Sequence, residues 1–297
     1  MTGPSEAMVA CPLCGGDRHR ELLVVEHRRI VRCLECGVAF RNPRPAAAAY
    51  EEEFRSGRAT VADEARLGAR RGAMFKSFLD AWPERPGRVL DVGCGGGWFL
   101  LAAGDRGWSA VGVDPSPVAV RHAREVLGVD ARPGTAEAQR FAPASFDLVT
   151  LWNVLDVVPD PLGLLRAVRP LLRPGGVLHL RTPNDPFQRA AFRATRAARA
   201  LGVRGVFDRR PDLAFVFNVT AFSGRTVRLL LGRADFAEVR VTPSPPAPGD
   251  PYRALDLPEW PLSAVKTVAA GVARAAWVLS GGRWIAGASL EASARRR

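Results

Sequence analysis

Residues 88–114, RVLDVGCGGGWFLLAAGDRGWSAVGVD, constrain this chain more than any other stretch. Val89 and Leu90 run into Asp91, and a glycine run follows at Gly93, Gly95, Gly96 and Gly97. An apolar helical segment starts near Trp98, and a second strand, Ser109 to Val113, stops at Asp114. The glycines permit a sharp turn and close approach of a ligand to the backbone. The helix behind them points its unpaired N–H groups into the same place. A carboxylate ending the second strand can accept from both hydroxyls of a ribose. The unit is therefore a β-loop-α-β cradle for a nucleoside. A dinucleotide fingerprint would need glycine where Trp98 stands. The motif present is D-x-G-x-G-x-G on Asp91, Gly93, Gly95 and Gly97.

The chain then alternates. A helix is expected over 117–127, a third strand over 128–131, and a loop at Thr135-Ala136. An apolar fourth strand follows over 146–151, a helix over 162–172, a turn at Arg173-Pro174-Gly175-Gly176 and a fifth strand over 177–180. Helices over 226–231 and 262–279 flank a sixth strand at 236–241, and 289–294 reads as a last, antiparallel strand. This pattern predicts an α/β fold, with a Rossmann-like seven-stranded, mostly parallel sheet whose last strand is antiparallel. Ligands bind such sheets at the carboxyl ends of the strands.

Upstream, Cys11, Cys14, Cys33 and Cys36 form two C-x2-C knuckles separated by eighteen residues. That spacing is a metal pattern: each knuckle turns two thiolates toward one ion, and four cysteines close the shell around a structural Zn2+. LLVV and RIVRC read as two short strands between the knuckles, which makes the unit a zinc ribbon. His19 and His27 read as surface residues, since four sulfurs already complete the coordination. The stiff phrase Arg41-Asn42-Pro43-Arg44-Pro45 marks its end. The expected organisation is a zinc ribbon over 1–45, a helical linker over 46–85 and a main domain over 86–297, with a cap at 185–222 and a helical insertion at 243–285. Within the linker, Met74, Phe75, Phe78 and Leu79 recur at helical spacing, while Tyr50 reads as a packing residue.

The formal net charge is +12, almost all of it arginine, because Lys76 and Lys266 are the only lysines. Arginine is spread along the whole chain, which argues for compositional bias over one acidic partner. The N-terminal residues MTGPSEAMVA have no basic start followed by an apolar run. No run reaches the roughly 18 apolar residues of a membrane span. The expectation is a cytoplasmic protein with reduced thiols.

VLDVGCGGG, VGVDPS, FDLVTLWNVLDVVPDPLGLL and LLRPGGVLHLRTPN together resemble the class I S-adenosylmethionine-dependent methyltransferases, within them the type 11 and type 23 group. The resemblance is close over 86–184 and looser to Phe236. Some members carry an N-terminal zinc ribbon ending in a phrase like CGVAFRNPRP. It implies that Gly93, Gly95 and Gly97 line the methionine half of S-adenosyl-L-methionine, that Asp91 is a further cofactor-binding residue, that Asp114 holds the ribose, and that Thr135 and Ala136 border the adenine. Trp152 and Asn153 should approach the methionyl part. Two departures fall on the acceptor side. Many relatives have Glu-His where Asp156-Val157 stand, and a histidine roughly where Asn218 stands. His179, mid-strand, reads as a core residue and no replacement.

The reading taken is methyl transfer to a small-molecule acceptor (a sugar, natural-product or lipid-linked metabolite), with Asp156 and Asn184 orienting it. The alternatives are an RNA methyltransferase docking through the ribbon and arginines, and a non-catalytic cofactor-binding protein. The segment Asn153-Val154-Leu155-Asp156 argues against the first, since base-modifying amino-methyltransferases carry N-P-P-[YF] there. Arg189, Arg193, Arg196 and Arg199 form one helical stripe, read as a solvated face in preference to a phosphate clamp. The 262–279 helix is expected to pack against the sheet and not to lie on a membrane surface.

Overall fold

The computed structural model describes residues 6–25, 28–46, 61–202, 218–245 and 259–297, with Ala49 and Glu52. Tyr50, His27, the Arg199 side chain and residues 203–217 of the expected cap lie outside the described residues.

The main sheet has seven strands: β6 (Arg88–Val92), β7 (Ser109–Asp114), β8 (Ala131–Pro133), β9 (Phe146–Trp152), β10 (Leu172–Pro183), β12 (Phe236–Pro243) and β13 (Ser289–Arg296). Their order is β12-β13-β10-β9-β6-β7-β8, which confirms the expected architecture. β6 to β10 pair in parallel, and β13 inserts antiparallel between β10 and β12. The strand order reverses at β6, so a crevice opens at the carboxyl ends of β6 and β9. β6 and β9 are buried on both faces, as their nearly unbroken apolar sequences require. The polar exceptions meet each other: Thr150 donates to Asp91 across 2.7 Å in one register row.

Two boundaries shifted. The third strand lies at Ala131–Pro133, not 128–131, because Gly128 turns the chain with φ of 66° first. Arg173 to Gly176 form a bulge inside β10 instead of a turn before it. The helix after β7 is α3 (Pro117–Arg121), running into a π-turn at His122–Val126.

The helical linker is part of the core. α1 (Val61–Asp80) buries Met74, Phe75 and Leu79. Phe75 meets Phe99 of α2 (Trp98–Gly104) at 5.5 Å and Trp152 of β9 at 5.1 Å, both edge-on. His179 is buried as expected, its ring 4.3 Å from Phe78, and burial pushes it down to about 3, so it stays neutral.

The ribbon contributes β1 (Glu6–Ala7), β2 (His19–Val25), β3 (Arg28–Cys33), β4 (Ala39–Arg41) and β5 (Arg44–Pro45). β2, β3 and β4 are joined by β11 (Thr220–Ala221), from the far end of the chain, into one four-stranded sheet. One face of that sheet, with Val31 and Phe40, runs into the same apolar core as Leu90 and Phe222. On the other face, Phe192 of α5 (Asp185–Ala200) packs against Ile30 and Ala39. His19 is half-buried beside Phe40 and Asn42, not a surface residue. Asn42 is fully buried and exchanges two hydrogen bonds with the Val9 backbone, so the phrase that ends the ribbon is also its clasp.

α4 (Pro161–Val168) and α6 (Gly224–Arg233) cover the sheet on the β10–β12 side. α7 (Glu259–Leu279) packs on β12 through Ala273 and Trp277, whose indole N–H donates to the Val241 carbonyl at 2.9 Å. Val268, Val272 and Leu279 on its other side are exposed. Among the described residues, no helix is long and apolar enough to cross a membrane.

Candidate active site and cysteine cluster

The donor half grows from the turn after β6. Gly93, Gly95 and Gly97 have φ of 74°, 50° and 85°, a region only glycine enters without strain. A Cβ on Gly93 would lie 2.5 Å from Val154, and one on Gly97 2.7 Å from Ala123. The Asp114 carboxylate accepts from the Gly95 N–H at 2.9 Å and from the Ser116 N–H at 2.8 Å. The acid at the end of β7 is thereby locked against the glycine loop. The Gly134 N–H bonds to the Asp114 carbonyl at 2.9 Å, which brings exposed Thr135 and buried Ala136 to the same end of the sheet.

A cleft of about 120 Å³ opens here, lined by Asp91, the glycine loop, Trp98, Trp152 and, from α1, Arg71 and Phe75. Asp91 is buried. Burial pushes its carboxyl up to about 8 and Asp114 adds to this, while the Thr150 hydrogen bond opposes it. A buried acid at the mouth of a glycine cradle suits a cationic group, because a positive charge there recovers the cost of ionising it. The glycine cradle and this acid fit S-adenosylmethionine, which carries both a sulfonium and an ammonium.

Four residues past β9, Asp156 is 3% exposed. Asn218 donates to its Oδ2 at 2.6 Å, while Oδ1 is buried without a hydrogen-bond partner among the described residues. Burial raises its carboxyl to about 6; Asn218, then its own backbone N–H, then the Arg181 and Arg71 charges hold it below what burial alone would give. Its backbone carbonyl accepts from Val219 at 2.9 Å and Thr220 at 3.1 Å. Asn153 has φ of 58°, and its side-chain oxygen accepts from Arg181 at 3.1 Å. Asn184 sits at the same end, but its amide donates to the Ile285 and Gly287 carbonyls at 2.8 and 2.9 Å, leaving only its buried Oδ1 without a partner.

Sequence reasoning passed over three site residues. Arg181 is 2% exposed in the middle of an apolar strand, a position that itself signals a buried charge. His122 bonds the Gly96 carbonyl at 2.9 Å from the π-turn and lies against the Trp98 ring, bracing the glycine loop. Arg71 comes from α1, and nothing in its local sequence marks it.

The four thiols Cys11, Cys14, Cys33 and Cys36 lie within 4.8 Å of one another, with two Sγ pairs at 3.5 Å. Tetrahedral Zn–S bonds imply sulfurs about 3.8 Å apart, so the donor set fits zinc. Gly15 and Gly37, with φ of 75° and 82°, close the knuckles. Burial raises the Cys36 thiol to about 11 and raises Cys11 too. So packed, Cys11 and Cys36 keep their protons unless a cation offsets the charge, whereas backbone N–H groups bring Cys33 down to about 7.

A glycine cradle with an acid on each of its first two strands, set at the reversal point of this sheet, defines a class I S-adenosylmethionine-dependent methyltransferase. Residues 67–240 match the type 23 family, described as a methyltransferase domain, and the chain belongs to it. Its curated relatives include the ubiquinone biosynthesis O-methyltransferase of Pseudomonas aeruginosa, 41% identical over 131 residues covering 38% of this chain and 56% of the relative. The enzyme of the same name from Xanthomonas campestris is 42% identical over 135 residues, covering 43% of this chain and 53% of the relative. The chain thus spans about half the length of these relatives. Haemonchus contortus phosphoethanolamine N-methyltransferase 2, solved with S-adenosyl-L-methionine, shares the fold with a TM-score of 0.55 at 16% identity, over 87% of this chain and 62% of its own.

Proposed function

We propose that this protein transfers a methyl group from S-adenosylmethionine to a hydroxyl of a small-molecule acceptor. The observation that carries the reading is the Asp156–Asn218 pair: a buried carboxylate with one oxygen anchored and the other unpartnered, at the carboxyl end of the sheet beside the donor cleft. When bound, S-adenosylmethionine supplies an electrophilic methyl on its sulfonium. Asp91, Gly93, Gly95 and Gly97 hold its methionine half, Asp114 the ribose, Thr135 and Ala136 the adenine edge. Asn153 takes part through the turn it makes after β9. Trp152, Phe75 and Trp98 exclude water from the cleft. Asp156 accepts a hydrogen bond from the acceptor hydroxyl and then its proton, and Asn218 keeps the carboxylate aimed. Asn184 acts as a positioning residue, holding the 285–288 turn at the acceptor side. Alignment supplies most of the acceleration, so one weak base suffices.

The curated relatives are named for O-methylation in ubiquinone biosynthesis, which supports an oxygen acceptor. The four thiols are proposed to bind one Zn2+ that holds the ribbon strands against β11. The test is calorimetric titration of the full chain with S-adenosylmethionine, followed by mass spectrometry of metabolite extracts incubated with enzyme and methyl-labelled cofactor. Binding plus a labelled product one methyl heavier is expected. Failure to bind the cofactor would end this reading.

A further inference from the structure

The arginine stripe on α5 does not face solvent alone. In the ribbon sheet, Arg20 pairs with Arg32, Arg32 with Ala39, and Ala39 with Ala221. Side chains in one register row share a face. That is the face on which Phe192 seats α5 against Ala39. Arg20 and Arg32 therefore emerge beside the helix that carries Arg189 and Arg193. Three of them, Arg32, Arg189 and Arg193, meet at Asp185, with Arg20 beside Arg32; Asp185 is 4% exposed and fixed by its own N–H to the Phe222 carbonyl at 2.7 Å. Asp185 accepts from Arg189 at 2.9 Å, faces Arg32 at 3.8 Å and lies within electrostatic reach of Arg193.

We propose that Arg20, Arg32, Arg189 and Arg193 form a subsite for a phosphate or diphosphate group on the methyl acceptor. Two like-charged pairs are imposed by geometry, Arg20 opposite Arg32 across strands and Arg189 one turn before Arg193, and each is unfavourable without a counter-charge. One carboxylate meets three guanidinium groups, and a fourth, that of Arg20, adds its charge at Arg32. The Nε of Arg32 is buried with no hydrogen-bond partner among the described residues. A fold that gathers charge in this way is offset by an anion, and the planar guanidinium fork matches a phosphate in two hydrogen bonds. Convergence on one point, instead of a groove, favours a compact anion over a polyanion. The location fits the acceptor. Asp185 follows Asn184 at the end of β10, and Ala221 follows Thr220, whose N–H holds the Asp156 carbonyl. Two strand spacings, roughly 10 Å, separate Ala221 from Arg32, so the anion rides well away from the reacting hydroxyl. Only the word acceptor rests on the methyltransferase reading.

The test titrates sodium pyrophosphate into the full chain by calorimetry, with S-adenosylhomocysteine titrated into the same preparations. The wild type should bind pyrophosphate. R32Q/R189Q should bind it at least ten-fold more weakly, whereas a charge-matched control on exposed distant positions, R166Q/R274Q, should stay within two-fold. Asp185→Asn should bind several-fold more tightly, a gain that a folding defect cannot produce. Displacement of pyrophosphate by UDP-glucose or by dihexanoyl phosphatidate supports the subsite and tells a nucleotide source from a lipid one. No pyrophosphate binding by the wild type, equal loss in the control, or binding of a single-stranded RNA that pyrophosphate does not displace would each overturn it. S-adenosylhomocysteine binding without pyrophosphate binding sinks this subsite alone; the reverse upholds it and sinks the methyltransferase reading.

Discussion

Asn218 donates to the Asp156 carboxylate across 2.6 Å, although 62 residues separate them. The departures from the resemblance fall at Val157, next to Asp156, and at Asn218, and the fold brings these two segments together. The next two residues, Val219 and Thr220, bond the Asp156 carbonyl, and Thr220 continues as β11 on the ribbon sheet, opposite Phe40. The Asp156–Asn218 pair is thus strung between β9 and the ribbon sheet.

The rate should carry the ionisation of Asp156. Its carboxyl is raised to about 6, and the base form is the active one, so kcat/KM should climb as pH rises through about 6 and level off above. Asp156→Asn should remove that limb and lower kcat by roughly 10²–10⁴-fold. Asn218→Ala takes away a donor that stabilises the charged form, so its limb should move to higher pH. A pH–rate series on the three proteins checks this, and an Asn218→Ala limb at lower pH would refute it.

Asp91 should cost stability where it serves binding. Its folded value, about 8, lies above the ordinary carboxylate value. The folded state therefore holds a proton that the unfolded state releases, so its contribution is fully present at low pH and is lost as pH rises through about 8. Asp91→Asn, which keeps an oxygen for the Thr150 hydroxyl, should gain roughly 1–3 kcal/mol at pH 8 while losing S-adenosylmethionine affinity. Denaturant melts at pH 5 and pH 8, paired with calorimetry, would show the two effects in opposite directions.

Gly97→Ala should fail locally and severely. Its Cβ would enter at 2.7 Å from Ala123 and 2.8 Å from Val129, at φ of 85°. Strain and overpacking together should cost about 2–4 kcal/mol. Thermal denaturation and cofactor titration both report it, and an unchanged melting temperature would contradict the cradle described here.

Removing the metal should disable the acceptor before the donor. One equivalent of zinc per chain is expected by elemental analysis. A strong chelator, or Cys33→Ser, should loosen β3 and β4 and with them the pairing of β11, so turnover should fall more than ten-fold while S-adenosylhomocysteine still binds within about three-fold. Loss of both together would mean that the ribbon supports the whole domain.

Much of the donor side was legible in the chain because it is local. The alternation of strands and helices, the glycines at 93, 95 and 97, and the acids at 91 and 114 lie within short segments whose spacing is set by backbone geometry. The cysteine spacing likewise announced a four-sulfur cluster. What residues 88–114 and the knuckles could not announce is what lies between them. Arg71 and Phe75 read as parts of a linker helix and became a wall of the cleft. Residues 220 and 221 read as the end of a cap and became a strand of the ribbon sheet. Arg20 and Arg32 were unremarked beside a stripe on a helix more than 150 positions further on. Such contacts depend on long-range packing of faces, where pairing β11 to β4 and seating Phe192 on Ala39 bury apolar surface that no local pattern specifies. The sequence by itself marked the glycine turn and the acids at 91 and 114, since each lies in one short stretch whose spacing backbone geometry sets. Only the tertiary structure decided what faces Asp156 and the cleft, since Arg71, Arg181, Asn218 and the ribbon sheet reach that end from separate stretches of chain.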